Sequence, residues 1–128
     1  MRQYHGYSKT TNKGTGGKRK KAHDKKLRLV GRPPVATKVA EKRVVECLAG
    51  RGGNFKVKLK RESSANVLTP SGMKKAKIRN VVETPDNRHH ARQNIITKGA
   101  IIDTELGKVK VTNRVGQDGV VNGILLQK

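Results

Sequence analysis

The sequence has 128 residues, with 30 Lys and Arg against 9 Asp and Glu, and its formal net charge is +21. This length suggests one compact domain with an extension, and a charge of this size attracts polyanions. Nucleic acid is the first candidate partner and an anionic membrane surface is the second. The sequence lacks the run of about 18 apolar residues that a membrane-spanning helix needs and the apolar stretch of a secretory signal. We therefore expect no membrane association.

The positive charge is concentrated in the first residues of the chain. Residues 1–28 carry 10 basic side chains and 1 acidic one, whereas residues 95–128 carry 5 and 3. A solvated surface usually mixes both signs, so we expect the front of the chain to bind and the back to fold. Residues 1–26 contain no Val, Leu or Ile and cannot offset the entropy lost on ordering by burial. They are predicted to form a basic arm without structure of its own.

Residues 27–38, LRLVGRPPVATK, are predicted to be an extended anchor that follows the arm. Leu27, Leu29 and Val30 are expected to dock on a core, while the two consecutive prolines favour an extended backbone and stop any helix. The predicted domain organisation is therefore a basic arm and anchor over 1–38 and a folded body over 39–128.

The body begins with a predicted β-hairpin. Residues 43–50, RVVECLAG, and residues 55–61, FKVKLKR, flank the turn sequence RGGN, and the second run alternates between apolar and basic side chains. Cys47, the only cysteine, lies among Val and Leu and is predicted to be a packed thiol of a reduced, intracellular protein. The alternation predicts an apolar inner face of Phe55, Val57 and Leu59 and a basic outer face of Lys56, Lys58 and Lys60.

The remaining residues predict further short strands. The polar residues 62–72 and 84–93 are predicted to be loops, and residues 74–83 a strand, with a helix as the alternative. Three short apolar runs broken by glycine follow over 94–126. This pattern predicts a mostly β protein, a small barrel of about six short strands, with a sandwich as the alternative. The inward side chains of the 74–83 strand are predicted to be Ala76, Ile78 and Val82.

Catalytic and metal-binding patterns are absent from the sequence. The four histidines lack the partners and spacing of a zinc site, and the adjacent pair His89–His90 fits a surface or RNA contact better. The segment GTGGKR differs from a phosphate-binding loop in glycine spacing and in the residue after lysine. Asp103 and Glu105 are better explained as solubilising residues than as an acid–base pair. We therefore expect neither enzyme activity nor a cofactor, metal ion or small-molecule substrate.

RNA is the nucleic acid that the sequence favours. Aromatic residues make up only 2% of the chain, which argues against a general single-strand binder, and no motif for duplex DNA is visible. Disordered basic segments instead order on folded RNA. The predicted RNA-binding residues are Lys13, Lys18, Arg19, Lys20, Lys21, Lys25, Lys26, Arg28, Arg32, Lys38, Arg51, Lys56, Lys58, Lys74, Lys75 and Lys77.

Six motifs along the chain are TGGKRK (15–20), GRPPVATK (31–38), RGGNFKVKLKR (51–61), KAKIRNVVETPDN (75–87), NIITKGAIIDTELGKVKV (94–111) and GQDGVVNGILL (116–126). Together these motifs resemble the small-subunit ribosomal protein family that is eighth in the eukaryotic-type series, shared by archaea and eukaryotes. The chain lacks the long internal insertion of eukaryotic members and so is similar to the archaeal form. One departure is Leu29–Val30, where the family usually has an acidic residue and Leu before Gly-Arg-Pro.

The resemblance implies a β-barrel body and an arm threaded into small-subunit ribosomal RNA. It also implies a structural function in translation, a cytoplasmic, ribosome-bound location and neighbouring small-subunit ribosomal proteins as partners, without homo-oligomer formation. The alternatives are a basic nucleic-acid-binding protein outside the ribosome, of chromatin or RNA-chaperone type, and an enzyme that acts on RNA.

Overall fold

The computed structural model describes residues 3–4, 11–18 and 27–126. The chain divides into two units, Met1–Pro34 and Val35–Lys128. The elements of the first unit are β1 (Gln3–Tyr4), a 3₁₀ turn (Leu27–Leu29) and β2 (Val30–Gly31), and β1 pairs antiparallel with β2.

Residues 11–18 form a tight turn within the first unit. Thr11 and Lys18 form an antiparallel bridge, and the Asn12 N–H donates to the Gly17 carbonyl oxygen at 2.9 Å. The prediction of an arm without local structure is therefore wrong for this segment and for β1. Backbone hydrogen bonds close the 11–18 turn, and β1 pairs with β2. The rest of the predicted arm, including residues 19–26, lies outside the described residues. Leu27, predicted to dock, is 78% exposed, because it opens a 3₁₀ turn instead of an extended strand.

The second unit contains eight strands and two short helices. A 3₁₀ turn over Arg51–Gly53 joins the second and third of these strands. The elements are β3 (Lys38–Val39), β4 (Val44–Ala49), β5 (Phe55–Glu62), β6 (Ser64–Thr69), β7 (Gly72–Glu83), α1 (Arg88–Arg92), β8 (Ile101–Thr104), β9 (Gly107–Val111), α2 (Val115–Asp118) and β10 (Asn122–Leu125).

Five strands close into a barrel in the order β10–β6–β7–β8–β9. The β10–β6 pair is parallel and the other pairs are antiparallel. Alternate side chains point inward and form a core of small aliphatic residues. The predicted barrel is therefore confirmed, with five strands. The core consists of Leu59, Ala65, Val67, Ala76, Ile78, Val81, Ile96, Ala100, Ile102, Val109, Val111, Val115 and Val121.

The predicted hairpin is also present. Strands β4 and β5 pair antiparallel, β3 pairs parallel with the end of β5, and Ser63 alone separates β5 from the barrel strand β6. At the base of the hairpin, the Arg43 guanidinium lies 3.2 Å from the buried Glu62 carboxylate and donates to the Gly119 carbonyl oxygen at 2.8 Å. The ion pair thus ties the two ends of the hairpin together at its base, and the bond to Gly119 fixes this base to the end of α2.

Three local predictions were wrong. Residues 64–69 form a strand, not part of a loop, because Ala65 and Val67 alternate with polar residues and fill the core. Val81 is buried in place of Val82, because the β7–β8 register shifts after Ile78. The predicted loop 84–93 contains α1, whose first turn is capped by Asn87: its side-chain oxygen accepts from the His89 N–H at 2.9 Å.

At Gly123, β10 comes very close to β9. A Cβ at this position would lie 2.8 Å from the Lys110 carbonyl oxygen and would also meet the Val109 side chain. Only glycine lets β10 pack this tightly against β9.

Candidate nucleic-acid interface

The hairpin ends in a preformed turn. Gly52 and Gly53 have φ angles of +72° and +75°, which favour glycine. The Gly50 N–H donates to the Asn54 carbonyl oxygen at 2.6 Å, and Asn54 Nδ2 donates to the Arg51 carbonyl oxygen at 3.3 Å. Arg51 is exposed. The backbone of this turn is therefore held open to solvent beside a guanidinium group.

The basic face of β5 has the predicted alternation. Lys56 lies opposite Leu48 and Lys58 opposite Glu46 on β4. The Lys60 ammonium lies 3.2 Å from the Glu46 carboxylate, which leaves that lysine less available for an outside anion. Among the described residues, no carboxylate forms an ion pair with Lys56 or Lys58. These two lysines can bind an anion without first breaking an ion pair.

The other face of the hairpin differs from the prediction. Leu59 is buried in the barrel core, but Phe55 is 73% exposed and Val57 and Cys47 are also exposed. The predictions of an apolar inner face and of a packed thiol were therefore wrong for these residues. The reason is that the barrel core reaches β5 at Leu59, and beyond it Gly119 at the end of α2 covers Val57 only in part.

Strand β7 presents a second group of basic side chains. Lys75 and Lys77 are exposed on the outer side of the barrel, alternating with buried Ala76 and Ile78. Lys74 pairs with Val67 of β6 and is exposed near the start of the strand.

Arg79, which was not predicted as a site residue, extends the alternation of Lys75 and Lys77 and is exposed. It lines a groove together with Lys77, but Glu41 and Glu105 line the same groove. Because this surface mixes both signs, it is a weaker anion site than the hairpin.

The remaining predicted residues are distributed between the two units. Lys13 and Lys18 are exposed in the 11–18 turn, and Arg28 and Arg32 are exposed near β2. Lys38 is exposed on β3 in register with Arg61 of β5, a second basic residue that sequence reasoning missed, although it ends the same FKVKLKR run. Arg19, Lys20, Lys21, Lys25 and Lys26 lie outside the described residues.

The two adjacent histidines belong to helix α1. His90 Nδ1 lies 3.2 Å from Asp86 Oδ2, and Thr97 Oγ1 donates to Asp86 Oδ1 at 3.0 Å. Burial acts to raise the pKa of Asp86, but hydrogen bonds from Thr97, its own backbone and His90 outweigh it and leave this pKa below the usual value. Within the described residues, no three His, Cys, Asp or Glu side chains are grouped to hold a metal ion.

The sequence matches the model of the family described as Ribosomal protein S8e over residues 7–126. This match includes the hairpin, the barrel and most of the first unit. The chain belongs to this family. The resemblance found in the motifs is thereby confirmed.

Similar proteins of the ribosomal protein S8e type come from several organisms, each named small ribosomal subunit protein eS8. The protein of Staphylothermus marinus is 50% identical over 118 residues, covering 91% of this chain and 92% of its own length. That of Sulfurisphaera tokodaii is 48% identical over 116 residues, covering 89% and 91%. That of Hyperthermus butylicus is 48% identical over 132 aligned residues, covering 100% and 95%.

Neither helix in the described part of the chain is long and apolar enough to cross a membrane.

Proposed function

We propose that the chain is a structural component of the small ribosomal subunit that binds and stabilises folded small-subunit ribosomal RNA. Its relatives are named small ribosomal subunit protein, and the match covers about nine-tenths of their length. The net charge of +21 supplies the attraction to phosphate that such binding needs. The proposed location is cytoplasmic and ribosome-bound, with neighbouring small-subunit proteins as further partners.

The observation that best supports RNA binding is the charge of the hairpin. Residues 49–61 contain five Lys or Arg and no Asp or Glu, and the turn at the tip is closed by its own hydrogen bonds. Arg51 offers a planar fork to phosphate or base edges, and lysines offer point charges. Because the turn is preformed, binding would cost little ordering entropy. Arg51, Lys56 and Lys58 are the proposed centre of the interface.

The other basic residues are proposed to extend RNA contact beyond the hairpin. Lys74, Lys75 and Lys77 of β7 lie on the barrel, and Lys38 lies at the base of the hairpin sheet. The predicted arm contributes the densest charge in the sequence and remains a prediction for residues 19–26. The residues of the predicted arm and anchor that are proposed to contact phosphates are Lys13, Lys18, Arg19, Lys20, Lys21, Lys25, Lys26, Arg28 and Arg32.

Co-sedimentation with the small ribosomal subunit tests this function. A structural component built into RNA should stay with the subunit through a high-salt wash, because contacts buried in folded RNA are screened less than exposed ones. A basic protein of chromatin or RNA-chaperone type should be released by the wash. Release of the intact chain at the salt concentration that removes a nonspecific basic protein would contradict the proposal.

A further inference from the structure

We propose that Phe55 stacks on an unpaired base of the small-subunit ribosomal RNA, so that the hairpin tip recognises a single-stranded position as well as phosphates. Phe55 is the only Phe in a chain without Trp, and its side chain is 73% exposed. This inference rests on the proposed function, since it names the kind of RNA element that the hairpin contacts.

The position of Phe55 argues for a base. It is the first residue of β5, directly after the turn, and pairs with the small residue Ala49 across the hairpin. Its flat surface is therefore not covered by a large cross-strand neighbour. Unpaired bases are commonly stacked on aromatic side chains, because every base has a flat π face.

The surrounding charge argues for RNA in preference to a protein partner. Arg51 and Lys56 lie close to Phe55 in sequence, and the two acidic residues of the hairpin, Glu46 and Glu62, form ion pairs with Lys60 and Arg43. Phe55 and Lys56 are successive residues of β5 and therefore point to opposite faces of the ribbon. An RNA strand that crosses the tip can place a base on the ring and a phosphate at Arg51 or Lys56. A purely apolar protein surface would leave those cations desolvated and unpaired, which is costly.

The backbone of the turn completes the surface. A Cβ at Gly53 would meet no atom within 4 Å, so a phosphate can approach this backbone closely. The hydrogen bonds of Gly50 and Asn54 hold the turn in place. Ring, guanidinium and open backbone therefore lie within six consecutive positions, 51–56.

Tryptophan fluorescence tests the proposal directly. Since the chain has no Trp, Phe55→Trp provides a single reporter at the proposed stacking position. Leu106→Trp is the matched control, because Leu106 is also exposed but lies in a turn next to Glu105. Full-length variants are titrated with a full-length transcript of small-subunit ribosomal RNA, and acrylamide quenching is measured with and without RNA.

We expect RNA to quench the reporter at 55 and to shield it from acrylamide, while the reporter at 106 stays unchanged. Phe55→Ala should weaken binding about 5- to 150-fold at fixed salt, as expected for one stacked base, with Phe55→Tyr close to the unmodified chain. The dependence of affinity on salt should not change with Phe55→Ala, because the ring is uncharged. Thermal melts of the variants check that each one is folded.

Three results would overturn the proposal. The first is an unquenched reporter at 55 in a chain that binds RNA. The second is equal quenching at 55 and 106. The third is a reporter at 55 that acrylamide still reaches in the RNA complex but not in the assembled subunit, since a protein would then cover the ring. Failure of the unmodified chain to bind the RNA is a distinct result, because it would overturn the proposed function itself.

Discussion

The barrel and the β4–β5 hairpin share one pattern of alternating side chains and differ in what covers it. In the barrel, Ile102 of β8 pairs with Val109 of β9, and both side chains are fully buried. In the hairpin, Val57 pairs with Cys47 in the same antiparallel arrangement, and both are exposed. The same local pattern therefore leads to opposite environments.

Closure of the sheet explains this difference. Each barrel strand has a neighbour on both sides, so the inward side chains of the five strands pack against one another. The hairpin extends past Leu59 as a two-stranded ribbon, because β3 reaches only the Arg61–Glu62 end of β5. Alternation therefore selects which residues share a face, while the cover on that face comes from other strands or from a partner. The barrel is stabilised from within, and the hairpin tip is available for binding.

The largest expected contrast between the two regions is in stability. Ile102→Ala removes a fully buried side chain from the barrel and should lower the free energy of unfolding by about 2–5 kcal/mol. Phe55→Ala removes a larger side chain from the hairpin but should change it by no more than about 0.5 kcal/mol, because the ring is exposed. Urea unfolding followed by circular dichroism measures both. Equal losses would mean that Phe55 packs against the body in solution.

A second contrast compares two ion pairs. Arg43→Met leaves the carboxylate of Glu62, which is only 6% exposed, without its cation and should cost about 1–3 kcal/mol. Lys60→Met breaks the exposed pair with Glu46 on the hairpin and should cost about 0–1 kcal/mol. The same unfolding measurement applies to both variants. If the two losses were equal, the base of the hairpin would not be held by the buried carboxylate.

The smallest expected effect is a shift in the pKa of Asp86, which lies in the segment between β7 and β8. Because the pKa of Asp86 is lowered in the folded chain, its stabilising contribution is fully present above the unfolded value and is lost as pH falls through the folded one. Thr97→Val removes one of the hydrogen bonds and should raise the pKa of Asp86, whereas Thr112→Val, which lies on another loop, should not. An NMR titration of the Asp86 carboxyl measures the shift. An unchanged pKa in Thr97→Val would contradict the assigned cause.

The sequence was sufficient for features that depend on local chemistry. The glycines of RGGN and the FKVKLKR alternation predicted the hairpin and its lysine face, because turn and strand preferences act over a few residues. Strand β6 was missed, because Pro70 and the polar Ser and Asn residues masked the alternation of Ala65 and Val67. Arg79 and Arg61 could have been found by extending the alternation of β7 and β5 by one step.

Features set by distant contacts could not be predicted in this way. The burial of Val81 instead of Val82 depends on a register shift between β7 and β8, which a single strand's sequence does not determine. The exposure of Cys47 and Phe55 depends on where the barrel core ends along β5. A pattern of apolar side chains cannot show whether a second layer covers them.

The central claim is that the hairpin, and not merely the total charge, binds RNA. The measurement is the slope of log affinity against log salt for a small-subunit ribosomal RNA transcript. The test variant is Arg51→Ser with Lys56→Ser and Lys58→Ser, and the control is Lys108→Ser with Lys110→Ser and Arg114→Ser. Both variants remove three positive charges from exposed or half-buried positions of the second unit.

If each hairpin cation neutralises one phosphate, the loss of one cation lowers the magnitude of the slope of log affinity against log salt by about 0.7 to 0.9. The hairpin variant should therefore flatten the slope by about 2 to 3 units, while the control should leave it close to that of the unmodified chain. An equal change in both variants, or no change in the hairpin variant, would contradict the account and show that RNA does not bind at the hairpin.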